Sequence, residues 1–324
     1  MRRSVPQVVS VAAAAIGVLL FAITLYYIDI DATIGSARQL GLAFPLILVP
    51  GACWHLLRTW GWAVAFPDGS RPAFTRLFRV RLAADAIAFF TVRGIAGEPL
   101  KVLLLYDRVV PEITTAAVAL ERLAFAVIGI VIAAFISVAA LTRLSLPRAW
   151  DTLFTLLIAG AVIALAGAIL IARRRSGDYL GRLVERLDRR HRLGGSRVVR
   201  FILDVEDVLL QLVRGDRRRL VTLTVLAAVC YALMAIEVWL VLWAVGEPSS
   251  VTQALTVETF ARLASVASAA IPGNIGALEA SNAAVVAALG LGGGGALALA
   301  RRIRALLWAA AGLALYPRVR ERRQ

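Results

Sequence analysis

Residues 220–245 read LVTLTVLAAVCYALMAIEVWLVLWAV, with Glu237 as the one charged side chain in the run. A helix needs about 20 consecutive apolar residues to cross the hydrocarbon of a bilayer, so this stretch is long enough without help from a neighbour. Working outward, residues 8–28 and 153–172 are apolar in the same way, whereas 173–219 is crowded with charge. Over all 324 residues the hydrophobic share is 60% and the mean hydropathy +0.79, against roughly 45–50% apolar residues in soluble domains. Spans are expected at 8–28, 42–65, 112–138, 152–172, 220–245 and 296–316. Two more apolar regions, 81–107 and 254–291, are interrupted by Arg93-Gly94-Ile95-Ala96-Gly97-Glu98-Pro99 and by Pro272-Gly273-Asn274-Ile275-Gly276. Each reads as two half-helices around a break. The expected fold is an all-α polytopic membrane protein, one integral membrane domain over 1–324, with about six full spans plus two broken or re-entrant helical segments.

The net charge of +15 would suggest nucleic acid in a soluble protein. Here the arginines flank apolar spans, where the positive-inside rule and anionic lipids account for them, and nucleic acid is not an expected partner. If both broken segments return to the side they enter from, the N-terminus, the loop with Arg71, Arg76 and Arg79, region 173–219 and the arginine-rich tail share one side. The other side keeps Arg38, Arg143 and Arg148. That asymmetry predicts a bacterial inner (plasma) membrane protein with both termini cytoplasmic. The first apolar run is too long for a signal-peptide core and is read as a retained helix. Cys53 and Cys230 lie in separate spans and read as small core residues rather than a disulfide or metal pair.

An internal repeat is suggested. Arg81-Leu82-Ala83 recurs as Arg262-Leu263-Ala264, and Glu98 recurs as Glu279 at the same offset of 181. Gly94 and Gly97 match Gly273 and Gly276 when a two-residue gap is allowed, and Glu121-Arg122-Leu123 aligns with Arg301-Arg302-Ile303. The half-repeats would be 1–141 and 152–316. The predicted topology inverts one half relative to the other, as in many transporters. Between them, 173–219 forms a basic cytoplasmic segment whose Val198, Ile202, Val205, Leu209 and Leu212 recur at helical spacing. This amphipathic helix would lie at the interface or pack on a neighbour.

Asp85, Glu98, Lys101, Glu121, Arg122, Glu237, Glu258, Arg262, Glu279, Arg301, Arg302 and Arg304 all fall in or beside apolar segments. Each would cost roughly 2.5–3.5 kcal/mol if held at the bilayer centre, so they are expected to pair, to snorkel or to line a polar cavity. At the first break Pro99 belongs in the first turn of a new helix, with Gly97 allowing a sharp turn. The N–H groups of that turn would face the break and favour an anion, with Arg93 or Arg122 adding charge-assisted contacts to a phosphate. At the second, Pro272 ends one half-helix, Asn274 is a plausible cap and Glu279 lies a turn further on. Lys101 is the chain's one lysine, which arginine-biased composition also explains. His55 and His191 stand in no metal-ligand spacing. No pattern of a nucleophile with its base occurs, so no enzyme, cofactor or metal site is expected.

Together, Arg93-Gly94 to Gly97-Glu98-Pro99, Glu121-Arg122-Leu123, Ile271-Pro272-Gly273-Asn274-Ile275-Gly276-Ala277-Leu278-Glu279 and Arg302 resemble, in order, the lysylphosphatidylglycerol synthase transmembrane-region family. This is the flippase-like domain also seen in hopanoid-associated membrane proteins. One departure is the second break, where many relatives carry a richer glycine run. The resemblance implies movement or handling of a polar lipid (a phospholipid or hopanoid-type lipid) between leaflets. It does not imply the tRNA-dependent synthesis that a fused soluble domain performs in some members. The expected ligand site comprises Arg93, Gly94, Gly97, Glu98, Lys101, Glu121, Arg122, Pro272, Gly273, Asn274, Gly276, Glu279 and Arg302, with membrane lipids of anionic headgroup as partners. Alternative expectations are a non-catalytic subunit recruiting a lipid-biosynthesis enzyme through 176–219, and an intramembrane lipid transferase. A homo-oligomer is compatible with either arrangement.

Overall fold

The computed structural model describes residues 41, 43–91, 97–143, 148–173, 197–269, 271, 274 and 276–317. The expected span at 8–28 lies outside them, as do Arg93, Gly94, Pro272 and Gly273. Among the described residues every regular element is a helix: α1 (Ala43–Val64), α2 (Phe74–Phe90), α3 (Gly97–Leu105), α4 (Pro111–Arg143), α5 (Arg148–Arg173), α6 (Arg197–Gly215), α7 (Arg217–Ala244), α8 (Val251–Ala267), α9 (Ala277–Ala288) and α10 (Gly294–Ala314). The protein is thus an all-helical membrane protein, with both interrupted regions split into half-helices, α2/α3 and α8/α9.

Helices α4 and α7 and residues 150–167 of α5 are long and apolar enough to cross a membrane. Helices α1 and α10 have the length, 22 and 21 residues, or about 33 and 31 Å at 1.5 Å per residue. Their charged side chains lower their hydropathy, but Arg58 on α1 and Arg301 on α10 are buried, so those charges face protein rather than lipid. Conversely, α4 and α5 leave Phe135, Leu156, Val162 and Ile163 exposed, as helices facing lipid should.

Helix α2 begins at Phe74, before the expected apolar boundary at 81. Arg76 and Arg79 therefore sit in its opening turns rather than in a loop. They are useful there: Arg76 donates to the Leu104 carbonyl at the end of α3 (2.9 Å) and Arg79 to the Leu315 carbonyl at the end of α10 (3.0 Å). Helix C-termini leave carbonyls without intrahelical partners and carry a partial negative charge, so a guanidinium satisfies both needs.

The packing is organised around α1 against α7, α2 against α10 and α4 against α8. With residues paired at an offset of about 180, α1 corresponds to α7, α2 to α8, α3 to α9 and α4 to α10. Under that pairing the α2–α10 contact maps onto α8–α4, and α1–α4 onto α7–α10. One core, built on Trp62, Leu77, Leu104, Leu120 and Leu223, joins α1, α2, α3, α4 and α7. A second joins Ile47, Phe154, Val241, Val257, Val285 and Leu297. Cys230 is buried, and both cysteines are free thiols. The described part of the basic segment, α6, turns Val205, Val208, Leu209 and Leu212 onto the first core and packs against α4. Its apolar face is therefore spent inside the protein.

Candidate functional site

All twelve charged residues embedded in apolar sequence are engaged in ion pairs, and two more arginines join them. In the first half the hub is Glu121 of α4, 1% exposed. Arg58 of α1 reaches it at 3.0 Å and Arg81 of α2 at 2.8 Å. Arg81 also donates to the Arg58 carbonyl (3.0 Å), and the Arg58 guanidinium lies 3.7 Å from the centre of the Phe125 ring. In the second half the hub carries the opposite sign. Arg301 of α10 pairs with Glu258 of α8 (2.5 Å) and faces Glu237 of α7 (3.8 Å). Arg262 and Arg304 complete these carboxylates at 2.7 Å each.

Glu121 and Arg301 are an aligned pair, and each bridges the first two helices of its half, one as an anion between two cations, the other as a cation between two anions. Charges at membrane depth are tolerated only when paired or hydrogen-bonded, and removing one member of a buried pair leaves the other uncompensated. These hubs hold the bundle together.

A different kind of pair stands at each break. Glu98, in the first turn of α3, is bonded by Arg122 of α4. Glu279, in the first turn of α9, is bonded by Arg302 of α10. The sequence separations are 24 and 23 residues, so the same carboxylate–arginine pair is built twice. Unlike the hubs, these pairs are accessible: the Glu98 and Glu279 side chains are 20% and 33% exposed, against 1% for Glu121 and Glu237. The carboxylates of the break pairs are open to a ligand, whereas those of the hubs are enclosed.

The N-terminus of α9 is already occupied by its own carboxylate. Glu279 accepts from the Gly276 N–H at 2.8 Å, the role the sequence suggested for Asn274. Asn274 does not cap α9; its amide donates to Ser265 of α8 (2.8 Å), tying the break to the preceding half-helix. Gly97 opens α3 so close to α2 that a side chain there would meet the Ala88 Cβ at 2.7 Å, which is why the first break turns on glycine.

The halves differ behind these pairs. Lys101, 2% exposed, lies 3.1 Å from Glu98 and 3.9 Å from Asp85. At the aligned position in α9 stands Asn282, which accepts from Arg301 at 3.1 Å, and Val266 stands where Asp85 does. Beside Glu279 and Arg302 runs a groove of about 410 Å³ between α9 and α10, walled by Ala280, Ala283, Gly295, Ala298 and Leu299. It is an apolar slot with one ion pair along it.

Of the expected site residues, Glu98, Lys101 and Arg122 are brought together in the first half and Gly276, Glu279 and Arg302 in the second, whereas Glu121 is enclosed with Arg58 and Arg81 instead. Sequence reasoning missed Arg58 and left Arg81 out of the site. The signal for Arg58 was present: an arginine within the apolar run 42–65 must find a buried acid. His55 packs between the Trp54 and Trp308 rings, 4.8 and 4.5 Å away.

Among curated proteins and among solved structures nothing matches the chain. The family described as the lysylphosphatidylglycerol synthase TM region matches residues 8–314. That match runs through both breaks, both hubs and the groove, and it makes this chain a member of the lysylphosphatidylglycerol synthase TM region family, a lipid-related family of membrane proteins.

Proposed function

We propose that the protein moves a polar lipid between the leaflets of a bacterial inner membrane, in two half-sites that act as a repeat. The observation that carries this reading is the accessible glutamate–arginine pair found once per half at the start of a half-helix, while the hub carboxylates Glu121, Glu237 and Glu258 are enclosed. A carboxylate at a helix N-terminus with an arginine across from it occupies the place of a headgroup phosphate. Charge-assisted bonds of this kind are strong but exchangeable with another oxyanion, so an arriving phosphate takes Arg122 or Arg302 and releases the glutamate. The groove beside Glu279 would hold part of an acyl chain against alanine and leucine side chains, leaving the headgroup at the ion pair.

No covalent step is part of this reading. The recruiting-subunit alternative gains little support, since α6 already spends its apolar face on α4 and a partner would have to read its charged face. The test reconstitutes the purified protein into liposomes holding a trace of fluorescent phospholipid and follows how much label a membrane-impermeant quencher reaches. Wild-type protein is expected to expose inner-leaflet label, and Glu98→Gln combined with Glu279→Gln to expose none beyond protein-free vesicles. Normal lipid movement by the double variant would sink the proposed site.

A further inference from the structure

The three enclosed hub carboxylates are not held alike. Glu121 accepts hydrogen bonds from Arg58 (3.2 Å) and Arg81 (2.8 Å), and Glu258 accepts one from Arg301 (2.5 Å). Glu237 accepts none among the described residues. Arg304 approaches it at 2.7 Å and Arg301 at 3.8 Å, yet both of its oxygens lack a hydrogen bond, and the Arg304 Nη1 donates instead to the Met234 sulfur at 3.0 Å. Directed hydrogen bonds favour the ionised form of a carboxylate, so Glu237 is the hub acid that a proton disturbs least.

A second unpartnered group stands across Arg304. His55 of α1 is 7% exposed and its Nδ1 makes no hydrogen bond. One turn earlier on the same face of α1, a Cβ at Gly51 would meet the Arg304 Cδ at 2.9 Å and the Trp308 Nε1 at 3.3 Å. Arg304 therefore runs over α1 beside His55, whose ring Trp308 covers. The charged groups facing His55 are Arg58 of α1, Arg81 and Asp85 of α2 and Arg304 of α10. Those facing Glu237 are Arg301 and Arg304 of α10 and Glu258 of α8. Arg304 is common to both sets, and Asp85, partly exposed and paired with Lys101 at the first break, joins the buried line to an accessible one.

We propose that Glu237 is a proton-binding carboxylate, with His55 as its relay and Arg304 as the cation that responds, and that proton uptake there drives lipid movement. The inference rests on the lipid-transport reading above and names its driving ion. A neutral imidazole accepts a proton at one nitrogen and releases one from the other. A proton entering past Asp85 adds to one ring nitrogen of His55, a proton leaves the other, and the carboxylate of Glu237 ends with a new O–H bond. Arg304 is then without its carboxylate. Its side chain is partly exposed and can turn outward, whereas buried Arg301 stays with Glu258. Helix α10 is thereby released from α7, and with it Arg302, which bonds the accessible Glu279.

The test imposes a pH difference across liposomes holding the full-length protein and a trace of fluorescent phospholipid, and reads the label in each leaflet with the quencher. One proton carried per lipid shifts the equilibrium leaflet ratio about tenfold per pH unit, because one pH unit and a tenfold ratio are the same free energy. The wild type is expected to show that shift and to reverse it when the gradient is reversed. Glu237→Gln keeps the shape without a titrating oxygen and His55→Gln removes the relay, so each is expected to hold the ratio near one. A second readout needs no transport: infrared spectra of the purified protein over a pH titration should show a protonated carboxyl band that Glu237→Gln lacks. Should Glu237→Gln fail to fold, the wild type against His55→Gln decides. Label that moves in the wild type but ignores the gradient overturns the inference and leaves the transport reading standing. A gradient response in His55→Gln equal to that of the wild type, or a carboxyl band that survives Glu237→Gln unchanged, also overturns it. A band lost in Glu237→Gln, with no lipid moved by the wild type under any gradient, upholds the proton site and sinks the transport reading.

Discussion

Replacing Glu121 with alanine is expected to abolish recovery of folded protein, the largest loss from any single charge change in the bundle. Glu121 is sealed, and its carboxylate is the common partner of Arg58 and Arg81. Without it two guanidiniums face each other in a low-dielectric interior. Breaking a buried pair in this way costs about 3–5 kcal/mol, and here one deletion strands two cations. Arg81 cannot reach water by straightening, because it is 1% exposed and holds the Arg58 carbonyl. Glu98→Gln removes an accessible carboxylate whose neighbours are less enclosed, so it should unfold the protein far less than Glu121→Ala. Thermal unfolding in detergent, read by loss of the monodisperse size-exclusion peak, compares the two. A Glu121→Ala protein that melts with the wild type would show that the hub is ornamental, and the division into sealed hubs and accessible break pairs would fall with it.

That division was half legible in the sequence. Apolar runs at 42–65, 112–138, 152–172, 220–245 and 296–316 locate α1, α4, α5, α7 and α10 because a membrane span is a property of local composition. The two breaks were legible for a related reason: Gly97, Pro99 and Gly276 are local backbone instructions. What composition cannot convey is partnership. Glu121 and Arg58 are 63 residues apart, and nothing in either helix names the other, so Arg58 passed as one residue in an otherwise apolar span. The reversal of sign between the hubs hid in the same way. Aligning Glu121 with Arg301 looks like a poor match until both are seen to bridge the first two helices of their halves. Asn274 was expected to cap α9 because asparagine favours that position. Three-dimensional proximity instead gave its amide Ser265 and gave the α9 N-terminus the Glu279 carboxylate.

Leucine at Gly312 is expected to disrupt the protein nearly as severely as alanine at Glu121, by a route that involves no charge. Gly312 is buried on α10 where that helix crosses α2. A Cβ there would stand 2.7 Å from the carbonyl carbon of Leu82 and 3.0 Å from the Ala86 Cβ. The neighbour is backbone, which cannot swing aside, so the helices must part. Apolar surface in a membrane gains little by leaving lipid, so close packing of small residues is what holds such helices together. Ala86 and Ala309 line the same seam. Overpacking a soluble core costs about 1–3 kcal/mol, and direct collision with a main-chain carbonyl should reach or exceed the upper end. The consequence extends beyond stability, because α10 carries Arg301, Arg302 and Arg304, and displacing it from α2 shifts the second hub and the accessible pair together. The matched control is Gly129→Leu on the lipid-facing side of α4, where an added side chain meets no atom within 4 Å. Folded yield and quencher-accessible lipid should both collapse for Gly312→Leu and both survive in Gly129→Leu. Equal behaviour of the two variants would mean that α2 and α10 are not held by close packing at this crossing, and the charge clusters would then have to hold the bundle by themselves.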